Sequence, residues 1–386
     1  MSFVAHGVGQ SQDLPLPLDL VLQAGAATVV ISFLGSALLW RRPRLAGGNA
    51  RLIRVPGWLR YPVLLTSLLL VGVAVIGPRD PSNPAAHALY VWLWVGLIPV
   101  SVLAGPVWRA VNPLRTLFRL LRLPSATRRP IPFGAEWPAA LTLLAFVWLE
   151  LVAPGRTDPL VIGLCLIGYA AAQLTLATRY GERWFAQADC FEVYSSLAGR
   201  MSPWYWRPPL SGLAADRPGP GRAAFLAVWW GSTIFDSAAG SPFWAGVLQR
   251  AGLPVLLDTA ALVAVCALVL LAVWRMNITN ALIPIAVGYT LAHYLTLLLV
   301  EGPRGVLLVF GQPATDWTPA PNPSAVAVLQ VALILLGHAL SVLAAHDAAL
   351  AGSPGKPPLA VLPEELPVVL FMVLCTWAGL FLLFVR

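Results

Sequence analysis

The sequence predicts an all-α integral membrane protein, a polytopic bundle of transmembrane helices. Of the 386 residues, 58% are hydrophobic and only 11% are charged, and the mean hydropathy is +0.75. A water-soluble chain of this size needs far more charged surface than this composition supplies. The apolar residues are also gathered into about ten segments that are long enough to cross a bilayer as helices. We therefore expect residues 1–386 to form a single integral membrane domain.

The predicted spans are separated by stretches rich in proline and arginine. A helical crossing needs about 20 apolar residues, and the segments near this length are 19–40, 61–78, 88–105, 137–153, 159–178, 223–240, 255–274, 279–300, 324–345 and 366–385. The sixth segment is unusual because small residues and a proline surround an acid, Asp236, within the stretch Trp229–Trp244. We expect the sixth span to be a broken helix.

Most of the basic residues fall on one predicted side of the membrane. Residues 41–60, 106–135 and 179–222 hold six arginines each, and Arg275 and Lys356 lie on the same side. Because short cytoplasmic loops carry an excess of positive charge, these segments are predicted to be cytoplasmic and both termini to be outside. The expected location is the plasma membrane, with the lipid bilayer as partner. The same distribution argues against nucleic-acid binding, since the arginines do not form one soluble basic face.

Two of the cytoplasmic segments have helical patterns of their own. Asn112–Leu123 alternates apolar residues and arginines at helical spacing, which is typical of an amphipathic helix lying on an anionic membrane surface. Asp189–Met201 has a similar apolar stripe. Within it, Asp189 and Glu192 have the spacing of an N-cap and its partner three residues on, so we expect capping rather than catalysis from both.

Asp236 and His293 are the principal site residues that the sequence predicts. An ionisable group at membrane depth costs about 3 kcal/mol or more unless it faces protein or water, so it indicates function. His293 lies at the centre of a polar stripe that includes Tyr289, Thr296 and Glu301 on the eighth span. Asp236 has the predicted depth and charge to accept a hydrogen bond from His293, which can then act as a general base or a metal ligand. The alternative is a hydrogen bond that only holds two helices together.

The predicted site opens toward the outside of the membrane. Its predicted catalytic residues are His293, Asp236, Arg304 and Glu301, and its predicted substrate-binding residues are Ser232, Ser237, Ser241, Tyr289 and Tyr294. A divalent metal, zinc or copper, is a further hypothesis, with His6, His87, His293 and Asp236 as its ligands. The sequence has no H-E-x-x-H motif to support the metal and no G-x-S-x-G elbow to support a serine hydrolase.

Five groups of motifs run through most of the chain. They are AHG with QDLPLP (Ala5–Gly7, Gln12–Pro17), NPLR (Asn112–Arg115), DCFEVYSSL with RMSPW (Asp189–Leu197, Arg200–Trp204), GSTIFDSAAGSPFW (Gly231–Trp244) and AHYLTLLLVEGPRG (Ala292–Gly305). Together they resemble a bacterial, largely actinobacterial, family of integral membrane proteins labelled fenitrothion hydrolase. The resemblance implies cleavage of an organophosphate triester. It supplies no catalytic residues, so the predicted site depends on the residues themselves.

Three functions remain open at this stage. In a membrane-embedded hydrolase, His293 oriented by Asp236 activates water directly or through a metal, and Arg304 or the metal steadies negative charge. In a transporter or solute-binding protein, Asp236 and His293 carry a proton or a cation. In an assembly or scaffold subunit, these residues need no chemistry. The first two functions require a small-molecule substrate or solute.

Overall fold

The computed structural model describes residues 17–50, 55–124, 131, 134–312, 321–353 and 358–384. These residues are almost wholly helical, which confirms the predicted all-α class. The α-helices are α1 Leu18–Leu39, α2 Arg60–Ile76, α3 Leu97–Ala104, α4 Val107–Val111, α5 Pro113–Leu120, α6 Trp137–Leu151, α7 Pro159–Tyr180, α8 Phe185–Ala188, α9 Cys190–Ala198, α10 Pro220–Ala239, α11 Pro242–Ala251, α12 Pro254–Met276, α13 Leu282–His293, α14 Leu295–Val309, α15 Pro323–Gly352 and α16 Pro358–Phe384.

The remaining regular structure is short. A π-helix, His87–Val95, precedes α3. Within the described residues, 3₁₀ turns occupy Gly57–Leu59, Glu182–Trp184, Gly199–Met201 and Ser211–Ala214. One antiparallel pair joins β1, Asn49–Ala50, to β2, Trp206–Arg207.

Seven helical stretches in the described residues are long and apolar enough to cross a membrane: Leu18–Leu39, Gly57–Ile76, His87–Ala104, Pro159–Tyr180, Pro254–Met276, Pro323–Gly352 and Glu365–Leu382. The pair α13 and α14 makes an eighth if it is counted as one bent span. This supports a multi-pass membrane protein. The other two predicted segments are helical too, as α6, which is apolar but has 15 residues, and α10, which contains Arg222 and Asp236. The count of ten spans stays a prediction.

The sixth predicted segment has a helix break at Gly240 and Ser241, inside the stretch Trp229–Trp244. α10 runs without interruption from Pro220 to Ala239 and holds Asp236 in its last turn, so the chain breaks after the acid and not around it. The reason is local, because Ser241 caps the next helix and Pro242 occupies its first position. The predicted eighth span, by contrast, is interrupted at Tyr294, between α13 and α14.

Contacts between residues divide the chain into two compact units. The first comprises the described parts of Leu52–Gly199 and Thr296–Pro319. The second comprises the described parts of Ser11–Arg51, Arg200–Leu295 and Ala320–Arg386. The assignment of residues 1–386 to one membrane domain remains a prediction.

Aromatic side chains form the core of the first unit. The ring of Trp94 stacks on Tyr194 with centroids 4.7 Å apart and meets Phe146 edge-on at 5.1 Å. Phe146 in turn contacts Phe191 at 5.2 Å. Because Phe191 and Tyr194 belong to α9, this helix is buried on nearly all sides. Asp189–Met201 was expected to be an amphipathic helix at the surface, and this expectation is wrong. The residues of α9 that lie outside the apolar stripe are almost all buried as well.

Glycines allow close helix approaches in the second unit. A Cβ added at Gly288 on α13 would lie 2.6 Å from the carbonyl oxygen of Leu333 on α15, and one added at Gly337 would lie 2.7 Å from that of Pro284. A Cβ at Gly231 on α10 would lie 2.9 Å from the backbone of α12. Small residues at helix crossings let backbones approach closely, which is a common way to pack helices in membranes. These contacts fix α10 and α13, the two helices that carry the predicted site.

Candidate functional site

The side chains of Asp236 and His293 are in direct buried contact in the second unit. His293 Nε2 lies 2.8 Å from Asp236 Oδ2, and both side chains are almost fully enclosed. Asp236 comes from the last turn of α10 and His293 is the last residue of α13. The hydrogen bond between them, expected from their types and positions in the sequence, is therefore present.

Three of the predicted substrate-binding residues extend this pair. The hydroxyl of Tyr294 donates to Asp236 Oδ2 at 2.9 Å. On the far side of the imidazole, Ser237 Oγ lies 3.0 Å from His293 Nδ1 and 2.8 Å from the hydroxyl of Tyr289. Tyr289, Ser237, His293, Asp236 and Tyr294 thus form one continuous buried chain of hydrogen bonds, which we call the Asp236–His293 chain.

The chain accommodates two protonation states of His293. Since a carboxylate only accepts hydrogen bonds, an ionised Asp236 requires a proton on His293 Nε2. Ser237 Oγ also lies 3.0 Å from the carbonyl oxygen of Thr233 and has one proton to donate. If it donates to Thr233, His293 Nδ1 carries a proton and the ring is an imidazolium. If it donates to His293 Nδ1, the ring is neutral. Rotation of one hydroxyl therefore accompanies protonation of the histidine.

Neighbouring helices hold the chain in place. Gln330 on α15 donates from Nε2 to the carbonyl oxygen of Ala292 at 2.8 Å, beside the point where α13 ends. A backbone carbonyl released by a helix break in an apolar environment needs such a partner. The ring of Tyr289 lies against Gly379 on α16, where an added Cβ would approach its ring carbon to 3.0 Å. Sequence reasoning missed Thr233, Gln330 and Gly379, although the four-residue spacing of Thr233 and Ser237 was a usable signal.

Two of the predicted substrate-binding serines have other partners. Ser232 Oγ donates to the carbonyl oxygen of Trp229, in its own helix, at 2.9 Å. Ser241 Oγ accepts from the backbone N–H of Trp244 and so caps α11. Both hydroxyls satisfy local backbone groups, and neither contact involves the Asp236–His293 chain.

Glu301 and Arg304 lie in the first unit with His87. Glu301 Oε1 accepts from Arg304 Nη1 at 2.6 Å, and Glu301 Oε2 lies 3.1 Å from His87 Nε2. The polar stripe predicted from Tyr289 to Glu301 is therefore wrong beyond His293, because α13 ends there and the helical spacing is lost. Gly305 lets α14 meet the π-helix, since a Cβ there would lie 2.7 Å from the Cβ of His87.

The predicted metal site gains no support from the described residues. They contain no group of three or more His, Cys, Asp or Glu side chains placed to hold a metal ion. Both ring nitrogens of His293 are within hydrogen-bond distance of protein oxygens, and Glu301 lies beside His87. His6, with the motifs of the amino-terminal segment before Pro17, lies outside the described residues.

Of the two residues expected to cap α9, Asp189 does so and Glu192 does not. Asp189 does cap α9, because its Oδ1 accepts from the backbone N–H groups of Phe191 and Glu192. Glu192, however, accepts two hydrogen bonds from the guanidinium of Arg115, at 2.6 and 2.7 Å, and one from Asn112. Burial raises the pKa of Asp189 to about 6, with the nearby charge of Glu192 acting in the same direction. The NPLR and DCFEVYSSL motifs therefore meet in one buried polar network.

Chemically, the Asp236–His293 chain can move a proton between groups that are shielded from water. Searches with the whole protein against family models, curated proteins and solved structures find no match.

Proposed function

We propose that this protein is a multi-pass membrane transporter in which the Asp236–His293 pair takes up and releases a proton as a small solute crosses. The observation that carries the proposal is the buried Asp236–His293 chain of hydrogen bonds, in which His293 lies between the hydroxyl of Ser237 and the carboxylate of Asp236. Ionisable groups within spans, paired with one another, are typical of proton relays in transporters. In the step proposed, one proton converts neutral His293 to imidazolium beside ionised Asp236, and release reverses it.

The helix break supports the same proposal. Transporter sites commonly lie where a membrane helix is discontinuous, because the unwound backbone supplies polar groups to the solute. Here α13 ends at His293, and the next residue, Tyr294, is the donor to Asp236. Tyr294, at the helix break, is thus directly hydrogen-bonded to the buried Asp236.

The membrane arrangement belongs to the proposal. The proposed arrangement has ten spans in the plasma membrane, with the arginine-rich segments in the cytoplasm and both termini outside, as the positive-inside rule predicts. In that topology α10 runs outward, and Asp236 in its last turn lies in the outer part of the membrane. The site therefore exchanges its proton with the outer side.

The test is proton-linked flux in proteoliposomes that contain a trapped pH-sensitive dye. Wild-type protein is challenged with a panel of small solutes under an imposed pH gradient. We expect at least one solute to move protons with the wild type and none to do so with Asp236→Asn. Flux equal to wild type in Asp236→Asn would refute the role of the pair. Ser241→Ala is the matched control, since Ser241 caps α11, and it should leave flux unchanged.

A hydrolase is the second candidate, and one observation favours it. Ser237, His293 and Asp236 are bonded in the order of a nucleophile, a general base and an orienting acid. In that reaction Ser237 Oγ bonds to phosphorus as its proton passes to His293 Nδ1, and the bond from phosphorus to one ester oxygen breaks, with that oxygen taking the proton from His293. Water, deprotonated by His293, then cleaves the bond between Ser237 Oγ and phosphorus, and His293 returns the proton to Ser237. The family resemblance in the sequence implies this substrate class. Against it, Ser237 is buried within a regular helix, unlike the exposed nucleophile of a strand-to-helix elbow.

The two candidates differ in their dependence on Ser237. Hydrolysis of a chromogenic phosphotriester by purified wild type, abolished in Ser237→Ala, would favour the hydrolase. Proton-linked flux that survives Ser237→Ala at a reduced rate and is lost in Asp236→Asn would favour the transporter. If both substitutions only lower the amount of folded protein and neither activity is found, the scaffold role is favoured.

A further inference from the structure

A surface pocket in the first unit lies outside the proposed transport site. Its volume is about 530 Å³, and its lining residues are Phe118, Arg119, Arg122, Leu123, Tyr180, Gly181, Glu182 and Arg183. They come from the end of α5 and from the turn that follows α7. Because α7 is one of the stretches long and apolar enough to cross a membrane, the pocket lies at the end of a span.

The charges in the pocket favour an anion. Three exposed arginines line it, against a single acid, Glu182. That acid is already engaged: Arg119 donates to its two oxygens at 2.8 and 2.6 Å. These hydrogen bonds hold the pKa of the Glu182 carboxyl below its ordinary value. With three arginines and one acid among its lining residues, the pocket carries net positive charge.

The surroundings of the pocket fit the membrane interface. Tyr180, which lines the pocket, stacks on the buried Trp184 with ring centroids 5.2 Å apart, and tyrosine concentrates at the level of lipid headgroups. Leu120 and Leu121, next to the pocket arginines, are more than half exposed. Apolar side chains beside arginines on an exposed helix end are typical of an element that lies at a lipid surface.

The local backbone presents one of these arginines. Arg122 follows the end of α5 with a φ of 47°, a left-handed conformation that is uncommon for arginine. On the other wall, the backbone carbonyl of Tyr180 accepts from Arg183 Nε at 3.1 Å, which fixes that guanidinium at the carboxyl end of α7. Guanidinium groups bind phosphate oxygens through paired N–H donors.

We propose that this pocket binds the phosphate headgroup of an anionic phospholipid from the surrounding bilayer, with Arg122 and Arg183 as its principal donors. Basic pockets at the cytoplasmic end of membrane helices suit such headgroups, and the predicted topology places this pocket on that side. Phe118 and Leu123 supply an apolar floor for the glycerol region. The proposal does not depend on the transport mechanism.

The test is native mass spectrometry of the full chain, released from mixed micelles with equimolar phosphatidylglycerol and phosphatidylcholine. We expect wild type to retain phosphatidylglycerol preferentially, and affinity to fall roughly fivefold for each arginine removed in Arg122→Gln and Arg122→Gln/Arg183→Gln. Arg275→Gln, an exposed arginine in the last turn of α12, is the matched control and should retain the lipid. Equal retention in wild type and the double variant would overturn the proposal.

Two further arms make the result decisive. Excess inorganic phosphate should leave the bound phosphatidylglycerol in place, because the lipid is also held by its apolar part. Displacement by phosphate would instead identify a soluble anion as the ligand and overturn the lipid assignment. Thermal unfolding of the double variant in zwitterionic detergent should match wild type, since both arginines are exposed. A large loss of stability there would show that they hold the fold and not a ligand.

Discussion

The hydroxyl of Tyr294, the residue at which the helix pair α13 and α14 is interrupted, donates to the Asp236 carboxylate at 2.9 Å. Tyr294 is almost fully buried, and so is its acceptor. The helix break therefore directs the hydroxyl of Tyr294 at Asp236, the one acid of α10. An unbroken helix would orient this hydroxyl differently. This relationship links the backbone break to the proposed proton site.

Tyr294→Phe tests that link. The substitution keeps the ring but removes the donor, so Asp236 loses a buried hydrogen bond worth about 1–3 kcal/mol. We expect a lower unfolding temperature in detergent and slower proton-linked flux. Tyr61→Phe is the control, because its hydroxyl contacts Arg60 at an exposed position and its loss should change stability little. An unchanged unfolding temperature in Tyr294→Phe would contradict the role given to its hydroxyl.

The Asp236–His293 contact predicts strong coupling in a double-mutant cycle. Asp236→Asn and His293→Gln each leave one buried partner without its counterpart. The double variant should therefore be destabilised by less than the sum of the two single effects. We expect a coupling energy of about 0.5–3 kcal/mol from denaturation of the two single variants and the double variant. Additive effects would show that the two groups do not interact energetically.

Gly337→Ala tests the close crossing of α13 and α15. The added methyl would lie 2.7 Å from the carbonyl oxygen of Pro284, a backbone atom that cannot move aside. We expect a loss of about 1–3 kcal/mol from overpacking. Gly35→Ala on α1 is the matched control, because nothing lies within 4 Å of its added Cβ. That change should be neutral or stabilise by up to about 1 kcal/mol; a similar loss in both would refute the crossing.

Two of the ion pairs of α5, Arg115–Glu192 and Arg119–Glu182, should differ in their contribution to stability. Arg115 and Glu192 are buried, so Glu192→Gln leaves the Arg115 guanidinium with only Glu182, 3.6 Å away, as an acidic partner and should cost about 3 kcal/mol. Arg119 and Glu182 are largely exposed, and Glu182→Gln should cost about 0–1 kcal/mol. Chemical denaturation of both variants in one detergent measures the difference. Equal losses would contradict the burial of the first pair.

Asp216 should contribute to stability in acid. Burial tends to raise the pKa of Asp216, but hydrogen bonds from Arg222 and Arg200 outweigh it and hold the pKa below the ordinary value of 3.8. The folded protein therefore binds this proton more weakly than the unfolded chain, and the stabilisation is complete above pH 3.8 and lost as the pH falls below it. Asp216→Asn should flatten this part of the stability profile. If stability fell as steeply below pH 3.8 in Asp216→Asn as in wild type, the loss would belong to other carboxylates and the role given to Asp216 would be refuted.

The fold class was predictable from local apolar length, and the central pair was predictable because few ionisable groups lie within the apolar segments. Apolar length located all ten helical segments, and the cost of burying charge singled out Asp236 and His293. The break after α10 lies within the stretch Trp229–Trp244 that small residues and a proline marked in the sequence, whereas nothing in the composition marked the break at Tyr294. Glu192 was assigned to a cap because spacing alone cannot reveal a partner such as Arg115, 77 residues away.

The most direct measurement is an infrared titration of the reconstituted protein that follows the imidazole ring vibrations and the carboxylate stretches as the pH is changed. We predict reversible imidazole bands that are lost in His293→Gln, and a carboxylate band that shifts with them and is lost in Asp236→Asn, because His293 takes up the proton beside an ionised Asp236. A wild-type titration in which no pH-dependent band is removed by Asp236→Asn would contradict the claim that this pair binds and releases a proton.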